Sequence, residues 1–276
     1  MGRGIVKIML YKRILTAVIV APIVVLGILL LSPTNFALSL ALILIISSWE
    51  YCNLIQINHQ VGKVVYTLFI LLVTYFLNKE FSILVLYIAS VWWLIALAWV
   101  LIYPKNSILL SKNWIVKLAN GFFLFVPMAT SLMELRLEPY GGVLVLFLMV
   151  LIWAADIGAY FTGKVFGKKK LCPNVSPGKT FEGVYGGIAL SQLVAVLYVY
   201  TAIKTPALND FLVFCFLALV ISLVSVLGDL FESVLKRVAE VKDSGNILPG
   251  HGGLLDRIDS LTSSAPIFFL LFKLLT

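Results

Sequence analysis

Charge is what this sequence has least of. Only 12% of its 276 residues are Asp, Glu, Lys or Arg, about half the ~25% of an ordinary soluble domain. Cysteine is scarce as well. Cys52, Cys172 and Cys215 are an odd number, far apart, with no C-x-x-C and no Cys/His ligand spacing. That argues against a disulfide scaffold or a structural zinc, so the three are read as free thiols. No small-residue A-x-A site follows the first apolar run, 14–31. That run also exceeds the roughly 7–15 residues of a signal-peptide core, so a cleaved leader is not expected. No repeat of roughly 20–50 residues is visible.

What fills the chain instead is apolar surface. Residues of types A, V, I, L, M, F, W, Y and C make up 61%, where roughly 45–50% is usual even with Gly counted. A soluble enzyme, a disordered chain and a secreted scaffold are all excluded as readings. At about 20 residues per crossing, the apolar positions supply eight or nine membrane helices. Nine stretches can be read: 14–31, 36–55, 64–78, 81–102, 114–133, 141–163, 181–203, 210–235 and 260–275, the last of them short. Each should be helical, because lipid offers no partner to free backbone groups. The expected fold is an all-α polytopic integral membrane protein of about nine transmembrane helices. Links as short as 32–35 make neighbouring helices antiparallel hairpins.

The few charges then set the orientation. With the N-terminus in the cytosol, seventeen of the 21 Lys and Arg fall on inside segments, and only Lys79, Arg136, Lys204 and Lys273 fall outside. This bias predicts a cytosolic N-terminus and an outside C-terminus. It also accounts for the net charge of +8 without any nucleic-acid partner. Two cytosolic loops, 164–180 and 236–259, are the longest and hold nine of the basic residues. The chain divides accordingly into N-terminal membrane helices, 1–140 (about five), and a C-terminal catalytic membrane region, 141–276.

Four acids, Glu50, Asp156, Asp229 and Glu232, fall within or at the ends of apolar stretches. Intramembrane acids are costly and usually face a bundle interior or a wet cavity. At a rise of about 1.5 Å per residue, Glu50, Asp156 and Asp229 all lie in the cytosolic half of the bilayer. Ser225, Asp229, Glu232 and Lys236 run at i, i+4, i+7 and i+11, which makes one helix face polar. Such a face is a fault against lipid and an asset in a site. Glu50 is equally well read as an acid paired with a nearby Lys.

The segment after the eighth stretch carries Ser233-x-x-Lys236-Arg237, Lys242-Asp243, Pro249-x-His251-Gly252-Gly253 and Asp256-Arg257-x-Asp259 in 27 residues without a gap. It resembles the signature of the phosphatidate cytidylyltransferases, also called CDP-diacylglycerol synthases. A second region of similarity reads Trp153-x-x-Asp156-x-x-Ala159-Tyr160-x-x-Gly163, then Gly167-Lys168, then Ser176-Pro177-x-Lys179-Thr180-x-Glu182-Gly183. The first 140 residues resemble that family only as apolar helices, with Trp49-Glu50 as the one familiar pair.

The resemblance implies a reaction: phosphatidate and CTP give CDP-diacylglycerol and pyrophosphate, with a divalent cation, normally Mg²⁺. It also admits a K⁺ beside the Mg²⁺ and leaves a homodimer open. It places the protein in a bacterial inner membrane with the site facing the cytosol. A lipid phosphate is already an anion, so no general base is needed. The difficulty is to align two polyanions, and catalysis should come from cations and positioning. Mg²⁺ favours one or two carboxylates plus phosphate oxygens and water. Asp229 and Asp256 are assigned as the metal carboxylates, with Glu232 one turn from Asp229 as a further partner. Lys236, Arg237, Lys242 and Arg257 are the candidate phosphate clamps, with Asp243 and Asp259 in the same signature. Gly252 and Gly253 let backbone approach a ligand. His251 either donates to the leaving pyrophosphate or supports the turn. Asp156, Tyr160, Ser176, Lys179, Thr180 and Glu182 are expected around the substrates, the Ser176–Thr180 turn preceding a helix N-terminus that favours anions. Lys168, Lys169 and Lys170 read as a basic run at the membrane surface. A lateral opening near Asp156 and Asp229 would admit the lipid. Two other activities are weighed against this one. A CTP-dependent lipid kinase would pass on the γ-phosphate, and a cation-coupled transporter would move solute without consuming CTP.

Overall fold

The computed structural model describes residues 18–247 and 252–276, the side chains of 78–80 excepted. Ten helices and one hairpin follow in order. They are α1 (Val18–Leu30), α2 (Pro33–Leu54), α3 (Gln60–Glu80), α4 (Ser82–Ile102), α5 (Ser107–Lys112), α6 (Trp114–Leu137) and α7 (Gly141–Phe166), then β1 (Lys170–Cys172), β2 (Ser176–Thr180), α8 (Phe181–Ala202), α9 (Leu208–Val238) and α10 (Leu255–Leu275). Among the described residues eight helices are long and apolar enough to cross a membrane, and α1 is a shorter apolar one. The all-α polytopic expectation therefore holds. The beginning of the expected first span, 14–17, lies outside the described residues.

Local sequence explains the helix starts. Ser32 caps α2, accepting the Asn35 N–H at 3.3 Å, with a proline next in the chain. Asn113 does the same for α6 through the Val116 N–H at 3.1 Å. Thr180 caps α8 through the Gly183 N–H at 3.1 Å.

The packing is centred on α10, which touches α9, α6, α4, α7 and α2. Close approach needs small residues, as is usual between helices in lipid. At the α9–α10 crossing, a Cβ on Gly228 would collide with the backbone around Asp259 and Ser260. There Ser260 Oγ donates to the Ser225 carbonyl (3.1 Å) and Ser263 Oγ to that of Val224 (2.8 Å). The helices α7 and α8 meet at glycines: a Cβ on Gly187 would lie 2.7 Å from the Ala155 carbonyl oxygen. Around Phe231 of α9, Trp92 and Trp93 of α4 stack edge-on at 5.2 and 5.9 Å. At the end of the bundle away from the signature, Arg136 Nη2 donates to the Leu31 carbonyl (2.5 Å) and Lys273 pairs with Glu138 (2.6 Å).

Two boundaries differ from the sequence reading. The expected 236–259 loop is shorter, because α9 continues to Val238 and α10 begins at Leu255. Lys236 and Arg237 thus sit in the last turn of α9, and Asp256, Arg257 and Asp259 in the first turns of α10. Charged residues lowered the apolar count there, yet the helices persist because Lys236 pairs with Asp256 and Arg237 bonds the hairpin turn. The expected 164–180 loop holds the antiparallel β1–β2 hairpin, with Lys170 opposite Thr180 and Cys172 opposite Ser176. A further short helix, α5, fills part of the link between α4 and α6.

Candidate active site

A cavity of about 490 Å³ opens between α7, the hairpin, the start of α8 and the middle of α9. Its polar lining includes Asp156, Lys164, Ser176, Lys179, Thr180 and Asp229, and its apolar lining includes Ala159, Val184 and Val226. Local folding builds it. Glu182, in the first turn of α8, accepts the N–H groups of Lys168 (3.1 Å) and Lys169 (3.2 Å) and ties the hairpin base to the helix. Gly163 stands where a Cβ would lie 3.1 Å from Thr180 Oγ1, so α7 and the hairpin end approach closely. Arg237 Nε donates to the Val175 carbonyl in the hairpin turn (3.2 Å), binding the hairpin to α9. From this anchored hairpin Lys179 reaches across, its Nζ 2.8 Å from Asp229 Oδ2.

The second cluster lies where α9 meets α10. Lys236 Nζ is 2.6 Å from Glu232 Oε2 and 2.7 Å from Asp256 Oδ1. Asp256 Oδ2 accepts three further bonds, from the Ser244 N–H (3.0 Å), Ser244 Oγ (2.9 Å) and the Gly253 N–H (2.8 Å). Gly252 adopts φ +82°, a left-handed conformation that glycine takes readily, and a Cβ there would meet Asp256 Oδ2 at 2.7 Å. The two clusters are continuous. Asp156 and Asp259 both lie in the electrostatic field of Asp229 and Lys179, and Glu232 lies in that of Asp259. The result is a ladder of carboxylates, interleaved with Lys179 and Lys236, running from the cavity to the start of α10.

The sequence-predicted residues can be located one by one. Asp156, Tyr160, Ser176, Lys179, Thr180 and Asp229 line the cavity. Thr180 doubles as a helix cap, and Glu182 holds backbone rather than facing the space. Tyr160 is exposed, with Lys164 Nζ 5.6 Å over its ring. Arg237 is spent on Val175. Lys242 and Asp243 are exposed on the α9–α10 connection. Arg257 is exposed and within the field of Asp156. His251 lies outside the described residues. Sequence reasoning assigned no role to Ser244, although it follows the Lys242-Asp243 pair it did single out. Cys172, beside Lys179, is no nucleophile candidate: burial pushes its thiol up more than the lysine draws it down.

The donor set fits Mg²⁺ chemistry. Its oxygens are hard ligands, Glu232 Oε1 is buried with no partner among the described residues, and Asp229 Oδ1 accepts from the Ser233 hydroxyl at 3.3 Å. Among the described residues no three His, Cys, Asp or Glu side chains converge into a cage. Mg²⁺ takes one or two carboxylates and completes its shell with phosphate and water. Asp229 lines the cavity together with Asp156. Asp256 has Oδ1 to offer in exchange for its lysine, its Oδ2 being held by three donors.

This combination, a helical membrane bundle with a basic and carboxylate-rich cavity at one end, agrees with sequence comparison. Residues 11–275 match the Cytidylyltransferase family, and the chain belongs to that family. The chain is 41% identical over 262 residues to a phosphatidate cytidylyltransferase of Pseudomonas aeruginosa, covering 94% of this chain and 96% of the relative. It is 38% identical over 283 residues to the Haemophilus influenzae protein of the same name, covering 94% and 97%. The Bacillus subtilis protein of that name is 46% identical over 143 residues, about half of each chain.

Proposed function

We propose that this protein transfers the cytidylyl group of CTP to phosphatidate, giving CDP-diacylglycerol and pyrophosphate. The observation that carries the reading is the cavity where Lys179 and Asp229 meet, whose walls are of two kinds, charged and, at Ala159, Val184 and Val226, apolar. A substrate with a phosphate head and two acyl chains needs both walls. Its chains stay in the bilayer while the head enters between α7 and α9.

In the reaction a phosphatidate oxygen bonds to the α-phosphorus of CTP. The bond from that phosphorus to the bridging oxygen breaks, and its electron pair leaves on pyrophosphate. Lys179 and Lys236 supply positive charge where the anions crowd, and their present partners, Asp229, Glu232 and Asp256, hold them in place for it. Arg237 fixes the hairpin that carries Lys179. Mg²⁺, held by Asp229 and Asp256, would neutralise phosphate charge and favour departure of pyrophosphate. The basic excess of the segments at this end supports a cytosolic site in an inner membrane, where CTP is available. Position-labelled CTP tests the reading. Label at the α-phosphorus should enter the lipid and label at the γ-phosphorus should leave as pyrophosphate. Retention of the γ-label in lipid indicates a kinase, and solute flux without CTP consumption indicates a transporter.

A further inference from the structure

We propose that Glu50, far from the signature in sequence, is a positioning residue for this reaction: its carboxylate latches the N-terminus of α10 and thereby sets Asp256 and Asp259. The inference rests on cytidylyl transfer at the site described above. Glu50 is 2% exposed, and its Oε2 accepts the Leu255 N–H at 2.8 Å, a bond between residues 205 positions apart. Leu255 is the first residue of α10 and is fully buried. The residue before it, Leu254, supplies no side-chain cap. A helix N-terminus presents unpaired N–H groups and partial positive charge, so a buried carboxylate from another helix satisfies both.

The same carboxylate lies against backbone from two stretches of the signature segment. A Cβ on Gly253 would meet Glu50 Oε2 at 2.6 Å. One on Gly245 would meet Glu50 Cδ at 2.8 Å and Cγ at 3.0 Å. Asp256 in turn accepts from Ser244 and from the Gly253 N–H through Oδ2 and from Lys236 through Oδ1. Glu50 and Asp256 therefore both bear on the same two backbone stretches, 244–245 and 253–255. Stability alone is a poor reason for this choice. Glu50 Oε1 is buried with no partner among the described residues, an arrangement that costs free energy wherever it occurs. Keeping a latch with an unsatisfied oxygen makes sense where the register of Asp256 and Asp259 matters.

The test measures kcat and the KM for CTP, per folded molecule, in purified full-length variants. Glu50→Ala should lower kcat at least thirtyfold and leave KM within threefold, because the latch does not touch CTP. Glu50→Gln keeps a carbonyl for the Leu255 N–H and should retain a third or more of kcat. Glu50→Asp, one methylene short, should lose at least tenfold. Gly245→Ala should lower kcat at least fivefold in the wild-type background and less than twofold beside Glu50→Ala, where the side chain it meets is gone. Should Glu50→Ala yield no folded protein, the Gln and Asp pair decides. A folded Glu50→Ala within threefold of wild-type kcat, a defect confined to KM, or equal losses in Gln and Asp would each overturn the proposal. An inactive wild-type chain instead contradicts the cytidylyltransferase reading itself.

Discussion

Lys236 carries more of the site than any other cation described, and its removal has a calculable cost. Its ammonium is shared by two carboxylates, at 2.6 and 2.7 Å, and the three side chains are 14% (Lys236), 1% (Glu232) and 7% (Asp256) exposed. Lys236→Met keeps the length and helix propensity of the side chain but leaves Glu232 and Asp256 buried beside each other without a cation. Breaking a buried pair by removing one partner costs about 3–5 kcal/mol. At about 2–4 °C per kcal/mol, the apparent unfolding temperature should fall by on the order of 10 °C. Adding Glu232→Gln removes one of the stranded charges and should recover about half of that loss, while turnover stays abolished. Lys273→Met is the internal control. Its partner Glu138 lies at the other end of the bundle, and Lys273 is 47% exposed. An exposed pair contributes about 0–1 kcal/mol, so that variant should shift by no more than about 4 °C. Intrinsic tryptophan fluorescence during heating in detergent reads all three variants. A Lys236→Met shift no larger than the control, or a double variant no more stable than the single, would refute the reasoning.

Other outcomes follow from the same geometry. Gly158→Leu should separate α7 from α8, since even a Cβ there would lie 3.0 Å from the Gly187 Cα. It should cost about 3 kcal/mol or more by overpacking and lower the yield of monodisperse protein; normal yield and thermal stability would count against that contact. Chelation with EDTA should stop turnover, and added Mg²⁺ should restore it while Na⁺ does not. Turnover persisting in EDTA would remove the metal role of Asp229 and Asp256. A cysteine at Asn246, which is exposed, should react with an impermeant maleimide only from the cytosolic side in oriented vesicles. Reaction only from outside would invert the topology.

Much of this was legible in the sequence because hydropathy and charge report the membrane directly. Eight of the nine apolar stretches are long helices here, and three of the four acids flagged as out of place, Asp156, Asp229 and Glu232, belong to the carboxylate ladder, while Glu50 meets the start of α10. Helix ends were less legible. Lys236, Asp256 and Asp259 look like loop residues to an apolar count, yet they prolong α9 and begin α10 because they neutralise one another. Partnerships across the bundle were not legible at all. Nothing local to Arg237 indicates that it holds the Val175 carbonyl, and nothing near Glu50 indicates Leu255. Such bonds depend on how helices cross, which spacing along the chain does not encode.

The most direct test of the central claim compares wild-type protein with Asp229→Asn, purified alike and matched for thermal stability, by product mass. Asp229 is the carboxylate that lines the cavity and binds Lys179. With CTP, phosphatidate and Mg²⁺, the wild-type chain should form CDP-diacylglycerol and pyrophosphate in equal amounts, and the variant should be slower by at least about a thousandfold, roughly 4 kcal/mol in barrier. Equal rates in the two proteins would contradict the account.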